Sequence, residues 1–324
     1  MENKRYLKIF SSQSDYESQK DSVMGIPHIV LLDDTNEVIC ASKNKKDEID
    51  YSKEYFTIEA LGKGTVGIGI PYSVTSLKYR KNNEPWIETS EAIQLLVVAN
   101  DTIQISCVND DFMGDCSTVF DISAPFNVKG NIMSLVYGDN FEGQIDLSGK
   151  GSAFAYLLRG CITLQNAENL ILPATTLADF CYIDMFRECT SLLTAPQLPA
   201  TTLAHGCYSN MFDFCANLTK APELPATTLA DFCYSCMFEG CTSLTTAPAL
   251  PATTLAYYCY SFMFSACSKL NYIKMLATDI SAIGCLEKWV GSVASSGTFV
   301  KHPQMTTLPS GDSGIPIGWT VENN

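Results

Sequence analysis

Three sets of residues have the types and spacing of reaction or ligand chemistry. Gly62-Lys63-Gly64-Thr65-Val66-Gly67 fits the pattern G-x-G-x-x-G. A dinucleotide site needs a helix to begin at that turn, so that its N-terminus meets the pyrophosphate. The residues that follow, Ile68-Gly69-Ile70-Pro71, are strand-like, and Pro71 stops a helix. No kinase-type V-A-I-K, H-R-D or D-F-G run follows either. Gly311-Asp312-Ser313-Gly314 has the composition of a serine nucleophile loop, which would need a base and an orienting acid. His28, His205 and His302 fall in an N-terminal segment, at a variable repeat position and in the tail, so no triad is predicted. Asp101, Asp110, Asp111, Asp115, Asp139, Glu142 and Asp146 could offer oxygens to calcium, but their spacing matches no EF-hand loop, and solvated turn acids are expected. With no nucleophile, base and orienter converging, the chain reads as a non-enzyme without cofactor or metal.

The fourteen cysteines suggest a disulfide framework until they are placed in register. Cys181, Cys207, Cys233, Cys259 and Cys285 recur at intervals of 26, as do Cys189, Cys215, Cys241 and Cys267, with Cys161 heading the second column. A free thiol behaves as a small hydrophobe, which suits a tight interior. Cys233 and Cys236 have a zinc-like spacing, but no second pair accompanies them. Cys107 and Cys116 are the best disulfide candidates, with free thiols favoured even there.

The element that must position these residues is a repeat of 26. Leu172-Pro173-Ala174-Thr175-Thr176-Leu177-Ala178 returns at Leu198, Leu224 and Leu250. Such a period is the mark of a solenoid whose coils bury their apolar faces on one another. Within a coil, positions 178, 181, 182, 185, 186 and 189 are invariant and lie on one side of a predicted three-turn helix over 177–189. Residues 192–198 are predicted as a short strand. Strands stack more closely than helices, so a curved solenoid with a concave sheet is expected. Aromatics then fall among the variable, convex positions as Phe180, Phe214, Phe232, Tyr257, Tyr258 and Phe262, which are the candidate ligand contacts. The concave alternative is Thr194, Thr219, Lys220, Glu223, Thr245 and Thr246.

The expected fold class is mixed. A small α/β module spans 1–50, with a strand at 6–10, a helix at 11–23 and a hairpin of 29–32 with 38–40. An all-β sandwich of about seven short strands spans 51–130, with Trp86 in its core. A leucine-rich-repeat α/β solenoid spans 131–290 and a C-terminal cap 291–324. Apolar content of 46% against 17% charged excludes a disordered chain. A formal charge of −14 argues against nucleic acid and anionic membrane as partners. No apolar run reaches membrane-spanning length, so no membrane insertion is expected. The N-terminal residues Met1–Phe10 show no signal peptide, so either the general secretory route is not used or a leader has been removed.

The run Met237-Phe238-Glu239-Gly240-Cys241-Thr242-Ser243-Leu244, followed by Leu250-Pro251, resembles the BspA-like leucine-rich repeat family. The resemblance covers residues from about 150 to 290, with a coil longer than the family's usual repeat. It implies a leucine-rich-repeat fold, adhesion at a cell surface and no catalytic residues. The expected function is recognition of a surface glycan or protein ligand. The alternative is a structural part of a virion or surface assembly, docked through residues 1–50.

Overall fold

A computed structural model describes residues 29–31, 38–40, 50–70, 74, 76–108 and 119–324. The expected strand at 6–10, helix at 11–23 and turn at 33–36 lie outside the described residues, as do His28, Asp110, Asp111, Asp115 and Cys116. Residues 1–50 and 51–324 form separate compact units. In the first, β1 (Ile29–Leu31) pairs antiparallel with β2 (Val38–Cys40), Ile29 opposite Cys40. These are the two apolar runs, 29–32 and 38–40, expected to pair.

The second unit opens with strands β3 (Phe56–Ala60), β4 (Gly64–Ile68), β5 (Leu77–Lys81), β6 (Ile87–Thr89), β7 (Ile93–Val97), β8 (Thr102–Cys107), β9 (Phe120–Ile122) and β10 (Phe126–Asn131). Alternating apolar residues bury one face of each longer strand, as Phe126, Val128 and Gly130 do in β10. The strands divide into two sheets, one carrying β10-β3-β8-β5-β6 and the other β7-β4-β9. The ring of Phe56 on β3 stacks on Phe120 of β9 at 5.7 Å, joining the two sheets in one core. Trp86 departs from its expected core position. It stands half-buried against Tyr55 at 4.8 Å, with Lys78 and Arg80 over its ring at 4.7 and 4.8 Å.

The sheet continues past residue 130. β10 pairs antiparallel with β3 on one edge and parallel with β11 (Leu164–Asn166) and β12 (Leu170–Ile171) on the other. Gly130 marks this seam with φ +83°, and a Cβ there would meet the Tyr55 carbonyl. The short helix α1 (Ser134–Tyr137) closes over it, its Ser134 hydroxyl donating to the Ile105 carbonyl and accepting from the Phe56 amide.

From residue 152 to 292 the backbone repeats one device. The amides of Phe180, Tyr182, Asp184, Phe186 and Glu188 donate to carbonyls 25 positions ahead, at His205, Cys207, Ser209, Met211 and Asp213. The intervening amides of Cys181, Ile183, Met185, Arg187 and Cys189 donate three residues back, closing a turn each time. Every fourth residue has positive φ, as at Phe180, Asp184 and Glu188, and again at Gly206, Asn210 and Phe214. An L side chain there costs on the order of 1 kcal/mol. Each such residue before the last coil recovers this by donating to the next coil.

This geometry overturns the α/β leucine-rich-repeat solenoid. Among the described residues the one α-helix is α1, and 177–189 is a train of turns. The expected strand at 192–198 reduces to single-residue bridges such as Asn166 with Thr194 and Thr194 with Lys220. The predicted curvature loses its cause as well. Helices would hold neighbouring coils about 8–10 Å apart, whereas the ring column Phe154–Tyr182–Tyr208–Tyr234–Tyr260 is spaced 5.4, 5.6, 5.9 and 6.1 Å. A second column, Phe186–Phe212–Phe238–Phe264, keeps 5.4–5.8 Å and ends on Trp289.

From Cys107 to Cys285 the described cysteines are free thiols, and all but Cys236 are buried. Cys189, Cys215, Cys241 and Cys267 each donate to a carbonyl of the preceding coil, at Leu158, Phe186, Phe212 and Phe238. Burial raises these thiols above their ordinary range, Cys267 to about 12. The chain finishes in three parallel strands, β13 (Tyr272–Met275), β14 (Thr298–Lys301) and β15 (Thr320–Asn323).

Candidate ligand surface

Five of the six aromatic candidates occupy the positive-φ corners of the turns, namely Phe180, Phe214, Phe232, Tyr258 and Phe262. At such a corner the side chain leaves the coil, so its partners come from adjacent coils. Rings in neighbouring coils meet there in a strip. Phe180 touches His205 at 5.0 Å, and His205 touches Phe232 at 5.3 Å. Phe232 meets Tyr257 at 5.3 Å and Tyr258 at 5.2 Å, and the two tyrosines lie 4.6 Å apart. Tyr257 remains 41% exposed, so the strip reaches solvent. His205, expected as an exposed residue at a variable repeat position, is half-buried and links the two halves.

Glycine in the following coil makes room for three of these rings. A Cβ on Gly206 would lie 2.6 Å from the Phe180 ring, on Gly240 2.7 Å from Phe214, and on Gly284 2.5 Å from Tyr258. Phe214 stands apart from the strip at 48% exposure. Phe262 is half-buried, with the Lys288 ammonium 5.7 Å above its ring.

Carboxylates flank the strip, a feature the search for aromatics passed over. Exposed Asp179 precedes Phe180, and exposed Asp231 precedes Phe232. Asp179 accepts from the His205 amide at 3.0 Å, and Asp231 from the Tyr257 amide at 3.2 Å. The alternation of Asp and aromatic residues down positions 179, 205, 231 and 257 was the available signal. The charge of the nearby Glu287 carboxylate is the main cause of the raised Tyr258 pKa. Beyond Tyr258 the strip ends in an open cleft of about 380 Å³, lined by Tyr258, Ile280, Leu286, Glu287, Pro309 and Ser313 among others.

A second charged group lies on the turns between the same coils. Arg187 pairs with Asp184 at 3.1 Å, with Asp213 at 3.0 Å and with Glu188 at 3.5 Å. Asp213 is only 3% exposed, and its Oδ1 has no hydrogen-bond partner. Burial pushes its carboxyl up to about 7, Arg187 opposes that rise, and Glu239, Asp184 and Glu188 add to it.

The concave alternative gathers less. Thr194, Lys220 and Thr246 take part in the parallel bridges, and Thr219 donates to the Leu193 carbonyl at 3.5 Å. Thr219, Lys220, Glu223, Thr245 and Thr246 are exposed, but no ring contact joins them.

The other candidates are accounted for by packing. Gly64 is needed where a Cβ would meet the Ala124 amide at 2.6 Å, and the glycine-rich run crosses from one sheet to the other and forms β4, paired with β7 and β9. The Ser313 hydroxyl accepts from the Lys288 amide, Asp312 accepts from the Val290 amide, and Gly314 accepts from the Trp289 indole. The Gly311–Gly314 loop therefore closes the last coil. Asp101 is held by Lys81, Asn82 and the Val98 amide, and Asp139 by Lys78 and Tyr55. Among the described residues no group of His, Cys, Asp and Glu could hold a metal ion, and no helix is long and apolar enough to cross a membrane.

No family model matches the chain, and no curated protein or solved structure matches it.

Proposed function

We propose that this is a non-enzymatic recognition protein whose outer turns present the ring strip to a surface glycan or protein ligand. The observation that carries the reading is the continuous contact of Phe180, His205, Phe232, Tyr257 and Tyr258 at positions that differ from coil to coil. The interior of the same coils repeats without change, so stacking alone does not require these outer side chains. Clustered aromatics with a polar rim are the composition of binding hot spots. The sequence resemblance of Met237–Leu244 to BspA-like repeats supports adhesion at a cell or particle surface as the setting.

The test uses the full chain against a panel of mucin glycans, bacterial polysaccharides and whole cells. Tyr257→Ser removes an exposed ring without opening the core and is expected to weaken binding about tenfold. Phe214→Ser, outside the strip, is expected to leave binding intact. Equal binding by the wild type and Tyr257→Ser, with unchanged melting, would remove the strip as the site.

A further inference from the structure

We infer that the partner of this strip is a basic polypeptide segment, bound extended along the stacked coils. The inference rests on the strip being the binding surface, and it adds the chemistry of the ligand. The charges that border the rings share one sign. Asp179, Asp231 and Glu287 lie beside Phe180, Phe232 and Tyr258. Neither Asp179 nor Asp231 takes part in an ion pair among the described residues. No Lys or Arg occurs at positions 179–180, 205–206, 231–232, 257–258 or 283–284, which make up the two columns of the strip. The nearby cations are engaged elsewhere, Arg187 with Asp184 and Asp213, and Lys288 over Phe262. A local excess of negative charge on a chain of net charge −14 draws cationic ligands and repels anionic ones.

Geometry narrows the ligand further. Neighbouring coils bonded as strands lie about 4.8 Å apart, so Asp179 and Asp231, two coils apart, are separated by roughly 10 Å. A peptide in the extended polyproline II conformation advances about 9 Å in three residues and returns each third side chain to the same face, which fits Lys or Arg at every third position. The terminal cleft suits one more such side chain. Ile280, Leu286 and Pro309 offer apolar surface to its stem, while the Tyr258 ring and the Glu287 carboxylate face its charged head. A neutral sugar chain would need flat ring faces in succession. Here Phe180 and His205 cross at 78°, as do Phe232 and Tyr257. From Phe180 to Tyr257 edges therefore alternate with faces, with Phe232 and Tyr258 stacked at 10°, which leaves notches that suit side chains better than pyranose rings.

The probe is a fluorescent peptide of four Lys-Pro-Pro repeats, which favours that conformation, titrated by anisotropy into the full-length protein, with the Glu-Pro-Pro peptide as control. The lysine peptide is expected to bind and to weaken about tenfold between low and high salt, because the contacts are exposed ion pairs. Asp179→Asn, Asp231→Asn and Glu287→Gln together keep the acceptor oxygens and are expected to reduce affinity about tenfold. Glu84→Gln with Glu91→Gln, exposed acids of the sheet region, should change it less than twofold. Equal losses from both sets would mean binding to bulk negative charge and would overturn the inference, as would no loss from the strip set. A neutral oligosaccharide that binds independently of salt and is lost in Tyr257→Ser would overturn it too, while keeping the strip as the site. Indifference of every ligand to Tyr257→Ser would defeat both readings.

Discussion

Residues 51–131 and residues 152–292 solve the same problem, pairing amides that have left water, in opposite ways. In the sheets an amide bonds a strand that runs beside its own, as β3 does with β8 and β10. In the coils successive amides alternate between closing a turn and bonding the next coil. Each sheet strand needs a particular partner sequence, whereas the interior of one coil matches the interior of the next. The cores differ accordingly. The sheets interdigitate unlike residues, and the coils stack identical ones, Tyr on Tyr and Phe on Phe. Sequence variation is therefore concentrated on the outside of the coils, where the ring strip lies, and is limited there by the glycines that seat Phe180, Phe214 and Tyr258.

The sharpest way to break this comparison is inside a column. Phe212 is fully buried between Phe186 and Phe238, and Phe212→Ala is expected to cost about 4 kcal/mol in denaturant unfolding. A cost below about 1 kcal/mol would mean that the column is not continuous.

Next come two glycines. Gly130→Ala at the seam drives a Cβ into the backbone oxygen of Tyr55, and Gly206→Ala drives one into the ring of Phe180. Backbone does not yield, so Gly130→Ala should cost about 3 kcal/mol. A surface ring can rotate away, so Gly206→Ala should cost about 1 kcal/mol. Similar melting losses would show that the coils are as rigid as the sheet seam.

The smallest effect depends on pH. In the fold Asp213 holds its proton up to about 7, against an ordinary value of 3.8. The folded chain keeps a proton that the unfolded chain releases between those limits. This contribution is full below the unfolded value and is lost as pH rises through about 7. Asp213→Asn should therefore stabilise the protein by about 1–2 kcal/mol at alkaline pH and leave it unchanged in acid. Parallel pH–stability curves for the variant and the wild type would contradict that assignment.

Much of the sheet region was legible. Alternation and Gly, Pro and Asn punctuation located β3 to β9 to within a few residues, because a half-buried strand has a period of two. β10 was missed, since Asn127 and Lys129 with Gly130 weaken the strand signal of Phe126 and Val128. The cysteine columns were legible from register alone. The turns were not, because a train of four-residue turns buries pairs such as 181–182 and 185–186, a pattern that a 3.6-residue helix nearly reproduces. Two signals could have separated them. The burial period stays at four over the whole segment, where a helical stripe would drift. Gly206 and Asn210, Gly160 and Gly284 also sit where turns need left-handed corners. The candidate rings were found for a sound reason, their variability, but were assigned to a helical face that does not exist.

The Gly311–Gly314 loop has a consequence for how the coils end. A stack of interchangeable layers is a one-dimensional crystal, and its last layer is a growth face for any copy of itself. Here the last full layer hands its bonds to a short loop. That loop turns its own amides inward, Gly311 to Ile315, Gly314 to Gly311 and Ile315 to Pro309. It reads the template without offering a new one, and so ends the run of turns as a stop codon ends a reading frame.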